Sequence, residues 1–146
     1  MQRYEFKVKG LDQFKELVSQ LYEQLHKEAR VILLSGEMGA GKTEFVRKWL
    51  QKAGVKGRIK SPSYSIIESY ENTKVGTIHH MDLYRIAHPY ELIEIGIEDY
   101  LQEQLLVEWP EKGWPDEISY DAWIEIKHQK ENDRILTMKI NKDTDK

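Results

Sequence analysis

Hydrophobic and polar positions along the chain recur with two different periods, which predict strands and helices in turn. Tyr4, Phe6 and Val8 alternate with charged residues, as in a half-exposed strand. The next apolar residues recur at helical spacing: Leu11, Phe14, Leu17, Val18, Leu21, Tyr22 and Leu25. Asp12 is the candidate N-cap of this amphipathic helix.

A short apolar run at 31–34 predicts a buried parallel strand, because both faces of such a strand are covered. After a glycine-rich segment the helical spacing returns, at Phe45, Val46, Trp49, Leu50 and Ala53. Gly54 is placed to end this second helix. The chain therefore runs from a buried strand through a glycine-rich segment directly into a helix.

The second half of the chain favours strands. Two strands are predicted at 65–70 and 75–81 around a turn at Asn72, and a third, buried strand at 105–107. The segment 89–100 is helical with a break near Gly96. A final antiparallel pair is predicted from Trp123, Ile124, Ile126, Ile135, Leu136, Met138 and Ile140. These patterns predict an α/β fold whose central sheet mixes parallel and antiparallel strands and is flanked by helices.

Composition narrows the class of protein. The 146 residues are most simply one domain, 1–146, with a frayed tail at 141–146. A net charge of −3 argues against strong non-specific nucleic-acid binding, and the absence of cysteine excludes disulfides and thiolate metal sites. No apolar run approaches the ~20 residues of a membrane span. The expected location is the cytoplasm, without a membrane partner.

Residues 36–43 read Gly-Glu-Met-Gly-Ala-Gly-Lys-Thr, a complete G-x-x-x-x-G-K-[ST] phosphate-binding loop. Glycines let the backbone turn its N–H groups towards a phosphate at the start of a helix. Lys42 can reach the β- and γ-phosphates, and the Thr43 hydroxyl can hold Mg²⁺. The predicted ligand is ATP or GTP with magnesium.

A magnesium-nucleotide site also needs an acidic side chain at the end of a neighbouring strand. Asp82 and Glu108 both follow predicted strands, and the residues alone do not rank them. Asp82 also fits a strand-end turn, and Glu108 a surface charge. His80 shares a strand face with Asp82, but ordinary hydrogen bonding is a better interpretation than a histidine metal site.

Two further segments carry candidate chemistry. Ser61 and Ser63 flank a proline, where a hydroxyl could approach the γ-phosphate side of Mg²⁺ as in switch loops, although a simple turn is favoured. Trp109 follows Glu108 and could cover the nucleotide or anchor a partner, although core packing is favoured.

Four segments in order resemble the bacterial tRNA threonylcarbamoyladenosine biosynthesis ATPase family, TsaE (older name YjeE). They are the loop at 36–43, Ser-Pro-Ser-Tyr at 61–64, His-Met-Asp-Leu-Tyr-Arg at 80–85 and Glu-Trp-Pro at 108–110. The resemblance implies a small P-loop NTPase that hydrolyses ATP with Mg²⁺, weakly without its partners. By the same resemblance, the protein is expected to support modification of adenosine 37 in tRNAs that read codons beginning with A. The implied partners are the proteins TsaD and TsaB, whose complex it keeps turning over, with tRNA reached only through that complex.

The resemblance also implies roles for single residues. Lys42 contacts phosphate, Thr43 and Glu108 hold Mg²⁺, and Asp82 is a second acid near the metal; Lys42, Asp82 and Glu108 form the catalytic set. Trp109 lies beside the active site. The nucleotide-binding residues are Leu11 (a positional guess for adenine), Gly39, Ala40, Gly41, Lys42, Thr43, Glu44 and Ser63.

The chain departs from the family pattern at two of these positions. Ser63 stands for the commoner threonine, and Glu44 places a carboxylate where a small hydroxyl residue is usual. No residue is clearly an arginine finger. Two other functions stay open: a small P-loop metabolite kinase, although the chain lacks room for a lid and an acceptor site, and a docking switch that binds ATP without needing to hydrolyse it.

Overall fold

The computed structural model describes residues 2–59 and 66–141. In chain order its elements are β1 Gln2–Val8, α1 Gly10–Leu25, β2 Val31–Ser35, α2 Lys42–Lys52, β3 Ile67–Thr73, β4 Gly76–Asp82, α3 Tyr90–Glu94, α4 Ile97–Tyr100, β5 Gln104–Glu108, a 3-10 turn Pro110–Lys112, β6 Ala122–His128 and β7 Arg134–Ile140. Seven strands form one sheet in the order β1-β7-β6-β2-β5-β4-β3.

The sheet is parallel at its centre and antiparallel at its flanks. Strand β2 pairs in parallel with β5 and β6, and β5 pairs in parallel with β4. The outer pairs, β3 with β4, β6 with β7 and β1 with β7, are antiparallel. The predicted mixed α/β sheet is confirmed, and the carboxyl ends of β2, β4 and β5 meet at one edge, where such folds bind ligands.

Both central strands carry apolar runs, at 31–34 and 105–107, because both faces of the sheet are covered. Every residue of β2 and β5 is buried. Ile32 and Leu34 pack with α1 and α2 on one face, and Val31 and Leu33 pack with α3 and α4 on the other. Since side chains alternate along a strand, the all-apolar run at 31–34 supplies both cores at once.

The first helix begins differently from the prediction. Asp12 is not its N-cap, because α1 starts at Gly10 and Asp12 lies in the first turn. Two N–H groups at this end are instead satisfied by one local and one distant side chain. Lys9 N–H donates to Gln13 Oε1 at 2.7 Å, and Gly10 N–H donates to Asp133 Oδ1 at 3.2 Å. The cap is therefore partly tertiary, supplied from the β6–β7 connection.

The hairpin turn also lies later than the predicted Asn72. Strands β3 and β4 meet through Thr73 and Gly76, where the Thr73 hydroxyl donates to the Gly76 carbonyl at 2.6 Å. Asn72 has φ 61° and lies where the pairing register shifts. The predicted break in the 89–100 helix is confirmed, since Gly96 separates α3 from α4 with φ 73°.

The pairing of the first strand with the last, β1 with β7, had no signal in the sequence. Residues 142–146 lie outside the described residues, so one domain over 1–146 with a frayed tail stays a prediction. Within 2–59 and 66–141, no helix has the length and apolar character that crossing a bilayer requires.

Candidate functional site

Residues 36–41 connect β2 to α2 in a loop that only glycine can build at two points. Gly36 has φ 150°, and a Cβ there would lie 2.5 Å from the backbone oxygen of Ile126. Gly41 has φ 122°, and a Cβ there would lie 3.1 Å from Arg134 Nε and 3.3 Å from Phe14 Cζ. Backbone conformation and close packing therefore both require these glycines.

Lys42 is the first residue of α2 and its ammonium group lies inside the loop. Its Nζ donates to the carbonyls of Gly36 and Glu37, at 2.5 Å and 2.9 Å, and lies 4.1 Å from the centroid of the Trp109 ring. Burial lowers the pKa of Lys42, and the charge of Glu108 opposes that shift. A buried cation held at the loop centre suits the binding of a phosphate anion.

Thr43 and Glu108 meet across the junction of α2 with β5. The Thr43 hydroxyl donates to Glu108 and lies 3.3 Å from each carboxylate oxygen. Glu108 is only 2% exposed, and its Oε2 lies 2.6 Å from His80 Nε2. A hydroxyl oxygen next to a fixed carboxylate is the hard-oxygen chemistry that Mg²⁺ prefers, so this pair fits the ion.

Asp82 ends β4 opposite Glu108, its register partner on the neighbouring parallel strand. Its Oδ1 accepts the Tyr84 N–H at 2.9 Å, which is the strand-end turn that one interpretation predicted. Burial raises the pKa of Asp82, and the charge of Glu108 adds to that shift. The structure therefore brings the second acid to the site and also gives it a local structural role.

Trp109 takes the left-handed conformation, with φ 59°, immediately after β5. Its backbone N–H donates to the Leu34 carbonyl at 3.1 Å, and the centroid of its ring lies 4.9 Å from the centroid of the Tyr84 ring. The Trp109 side chain packs against the core cluster around α3 and α4, and its ring also contacts the Lys42 ammonium. Core packing, the interpretation favoured from local sequence, is thus only part of its role.

A cleft of about 860 Å³ joins these groups. The described residues that line it are Met38, Gly39, Gly41, Lys42, Thr43, Glu44, Ile66, Ile67, Asp82, Tyr84, Arg85, Glu91, Ile95, Tyr100, Glu108 and Trp109. Leu11 is absent from this lining and packs against the core under α1 and α2. Ser61 and Ser63 lie outside the described residues, so their suggested approach to the γ-phosphate stays a prediction.

The two adjacent histidines serve different faces of β4. His79 bonds through Nδ1 to the Ser69 hydroxyl and through Nε2 to Glu103, both at 2.7 Å, whereas His80 faces Glu108. Within the described residues, no three His, Cys, Asp or Glu side chains are arranged to hold a metal ion. Both histidine rings make hydrogen bonds to protein side chains. A bound Mg²⁺ would draw on Glu108, on the Thr43 hydroxyl and on phosphate.

Sequence reasoning missed Arg134, which reaches the loop from the start of β7. Its Nε donates to the Ala40 carbonyl at 2.8 Å, and its Nη2 lies 3.1 Å from Glu44 Oε1. The available signals were weak: one cation before an apolar strand, and a carboxylate at Glu44 beside a phosphate cradle. Only the fold brings these two distant residues together.

Comparison with known proteins points to one family. Residues 8–138 match the family described as threonylcarbamoyl adenosine biosynthesis protein TsaE. The chain is 43% identical over 103 residues to the tRNA threonylcarbamoyladenosine biosynthesis protein TsaE of Haemophilus influenzae, covering 68% of this chain and 65% of that protein. It is 35% identical over 114 residues to the protein of the same name from Aquifex aeolicus, covering 76% and 77%.

Among solved structures, the crystal structure of Bacillus subtilis YdiB superposes with a TM-score of 0.70 at 24% identity, covering 96% of this chain and 87% of that one. This likeness shows a shared fold. The matched segments span 65% of the Haemophilus influenzae protein and 56% of the Rickettsia felis protein of the same name.

Proposed function

Because the chain belongs to the TsaE family of threonylcarbamoyl adenosine biosynthesis proteins, we propose that it is a Mg²⁺-dependent ATPase. It supports formation of N6-threonylcarbamoyladenosine at adenosine 37 of tRNAs that read codons beginning with A. It acts on the TsaB–TsaD complex, which then turns over repeatedly, and it reaches tRNA only through that complex. Its place of action is the cytoplasm.

One observation carries the ATPase proposal: the contact of Thr43 with Glu108 beside the Lys42 ammonium. These groups come from the start of α2 and the end of β5, and they line one cleft. A cation for phosphate, a hydroxyl and a carboxylate for Mg²⁺ are the groups that P-loop hydrolases bring together. A surface turn without a ligand would not need a buried lysine beside a buried glutamate.

In this mechanism the chain binds and orients the nucleotide more than it reacts with it. Bound Mg²⁺ would neutralise charge on the phosphate oxygens. When nucleotide binds, Lys42 Nζ would exchange its bonds to the Gly36 and Glu37 carbonyls for bonds to phosphate oxygens. The backbone N–H groups of the loop would donate to the same phosphates. We assign the orientation of the attacking water to Asp82, at the neighbouring strand end, or to Glu108, directly or through the metal.

The partner proposal is supported by charge and by the rim of the cleft. A net charge of −3 does not favour direct binding of tRNA, whose phosphates attract basic surfaces. Met38 and Tyr84 line the cleft and are exposed. Exposed apolar side chains around a nucleotide site suit contact with a protein whose docking depends on the nucleotide.

Lys42→Ala tests the ATPase assignment. We expect ATP turnover to disappear while circular dichroism and thermal unfolding show an intact fold, because the loop loses its phosphate cation. Lys15→Ala, an exposed lysine on α1, is the matched control and should hydrolyse ATP as the unaltered chain does. Undiminished hydrolysis by Lys42→Ala would refute the assignment.

Reconstituted tRNA modification separates the remaining functions. With TsaB and TsaD present, multiple turnover should require hydrolysable ATP; full multiple turnover with a non-hydrolysable analogue would instead indicate a docking switch. Labelled γ-phosphate should appear as free phosphate, and its transfer to a metabolite would indicate a kinase. Failure of the ATP-loaded chain to retain TsaB or TsaD in a pull-down would contradict the partner assignment.

A further inference from the structure

Arg134 is a buried cation that takes no part in the proposed magnesium site. The residue is 5% exposed and all three guanidinium nitrogens donate: Nε to the Ala40 carbonyl at 2.8 Å, Nη1 to the Asn132 carbonyl at 3.2 Å and Nη2 to Glu44 at 3.1 Å. The guanidinium carbon also lies 4.6 Å from the centroid of the Phe14 ring. A buried arginine with each nitrogen engaged has a single favoured position.

The bond to Ala40 sets the direction of one peptide group in the loop. In a trans peptide the carbonyl and the following N–H point in opposite directions, and the described residues contain no cis peptide. Because Arg134 holds the Ala40 carbonyl on the core side, the N–H of Gly41 is turned the other way. Gly41 lines the cleft, so this donor is oriented for an anion bound there.

The second contact of Arg134 compensates the negative charge of Glu44. This carboxylate lies in the first turn of α2 and lines the cleft, where it would repel a nucleotide phosphate. Its pairing with Arg134 compensates that charge and holds the carboxylate towards β7. The departure at Glu44 is thus matched by a cation that lies 90 positions further along the chain.

Local packing leaves the arginine little alternative. Phe14 lies against one side, and the missing side chain of Gly41 allows Arg134 Nε to approach to within 3.1 Å of where a Cβ would stand. Strand β7 anchors the residue through pairing with both β1 and β6. The sheet therefore fixes the position of the guanidinium, and the guanidinium in turn fixes the Ala40 carbonyl that it bonds.

We propose that Arg134 is a positioning residue for the phosphate loop: it orients the Ala40–Gly41 peptide towards the bound phosphates and neutralises Glu44 beside them. The inference rests on the proposed function, in which this loop binds ATP. It predicts an effect on nucleotide affinity that is larger than the effect on the hydrolysis step.

The test compares Mg-ATP affinity, kcat and KM in Arg134→Met, Arg134→Lys, Glu44→Gln and the double variant Arg134→Met/Glu44→Gln. Arg134→Met should bind ATP at least about tenfold more weakly, since a buried hydrogen bond and a charge pair are both lost. Glu44→Gln should bind about twofold more tightly, because a carboxylate leaves the cleft. Arg47→Met, which removes an exposed cation on α2, is the control and should bind normally.

The double variant distinguishes positioning from a general loss of structure. It should regain part of the ATP affinity lost in Arg134→Met, because the repulsion is relieved while the Ala40 peptide stays unheld. Arg134→Lys should weaken binding less than Arg134→Met. Each affinity is measured well below the unfolding temperature of that variant, so that lost stability does not enter.

Several results would overturn the inference. ATP affinity in Arg134→Met equal to that of Arg47→Met would do so, as would a fall in kcat with KM unchanged. If Arg134→Met does not fold, the double variant Arg134→Met/Glu44→Gln carries the test, because it removes the Ala40 bond without leaving Glu44 unpaired. ATP affinity in that variant equal to that of Glu44→Gln would refute the role of the Ala40 bond. Failure of the unaltered chain to bind Mg-ATP would instead refute the proposed function itself.

Discussion

Glu108 and Asp82 end neighbouring parallel strands and lie opposite each other in register, yet their surroundings differ. Glu108 is 2% exposed and its carboxylate is fixed by His80 Nε2 and the Thr43 hydroxyl. The Asp82 carboxylate accepts a backbone N–H from its own turn and is less buried. The two acids therefore differ in how firmly the fold holds them.

That difference suggests a division of labour at the site. A metal ligand works best when its orientation is set before the ion arrives, which is the condition of Glu108. A group that orients water or exchanges a proton benefits from a shifted pKa and some freedom, which is closer to Asp82. The ranking of Glu108 above Asp82 as a direct ligand, implied by family resemblance, stays a prediction that these environments support.

The largest expected effect is on Glu108. Glu108→Gln keeps the size of the side chain but removes the charge that faces Mg²⁺, so we expect kcat for ATP to fall by about 100-fold or more. Steady-state hydrolysis at saturating Mg²⁺ measures the change. A matched Glu111→Gln variant, on the 3-10 turn beyond Trp109, should lose far less. Equal losses in the two variants would contradict the assignment of Glu108 to Mg²⁺.

A smaller effect is expected from His80, whose Nε2 orients Glu108. His80→Ala should raise the Mg²⁺ concentration for half-maximal activity by about tenfold, as for other residues that orient metal ligands. His79→Ala is the control on the opposite face of the same strand, where the ring bonds Ser69 and Glu103. If His80→Ala leaves the magnesium requirement unchanged, the orientation of Glu108 does not depend on His80.

The smallest expected effect concerns stability at Asp82. Because burial raises the pKa of this carboxyl above the ordinary 3.8, its ionised form is disfavoured in the folded state. Its contribution to stability is therefore present below pH 3.8 and is lost as pH rises through the folded-state pKa.

Asp82→Asn, measured without nucleotide, should accordingly unfold at a higher denaturant concentration than the unaltered chain at neutral pH. The gain should shrink as pH falls from the folded-state pKa towards 3.8 and disappear below 3.8, where the Asp82 carboxyl is protonated in both the folded and the unfolded state. A gain that is constant over this range would have a cause other than ionisation.

Much of the central architecture was readable from local pattern. The buried run at 31–34, the glycine-rich loop and the helix through Trp49 predicted β2, the phosphate loop and α2 in their observed order. The break at Gly96 was equally local, because its positive φ is a property of the residue itself. These features depend on neighbours within a few positions, which sequence periodicity records directly.

Local pattern was less informative where distant side chains decide the outcome. The start of α1 is stabilised in part by Asp133 rather than by the expected Asp12. The β3–β4 turn lies beyond Asn72, and the pairing register shifts between Tyr70 and Thr73. Both errors lie at element ends, where backbone groups without a ladder partner take whatever donor or acceptor tertiary structure offers.

The sequence by itself determined the alternation of strands and helices, the phosphate-binding loop and the candidate residues Lys42, Thr43, Asp82 and Glu108. Only tertiary structure decided that Glu108 is fixed by His80 and Thr43 and that Arg134 lies under the loop. The physical reason is the separation along the chain over which each interaction acts. Periodicity and turn chemistry act over a few residues, whereas a site is built where strands 65 and 94 positions away meet the loop.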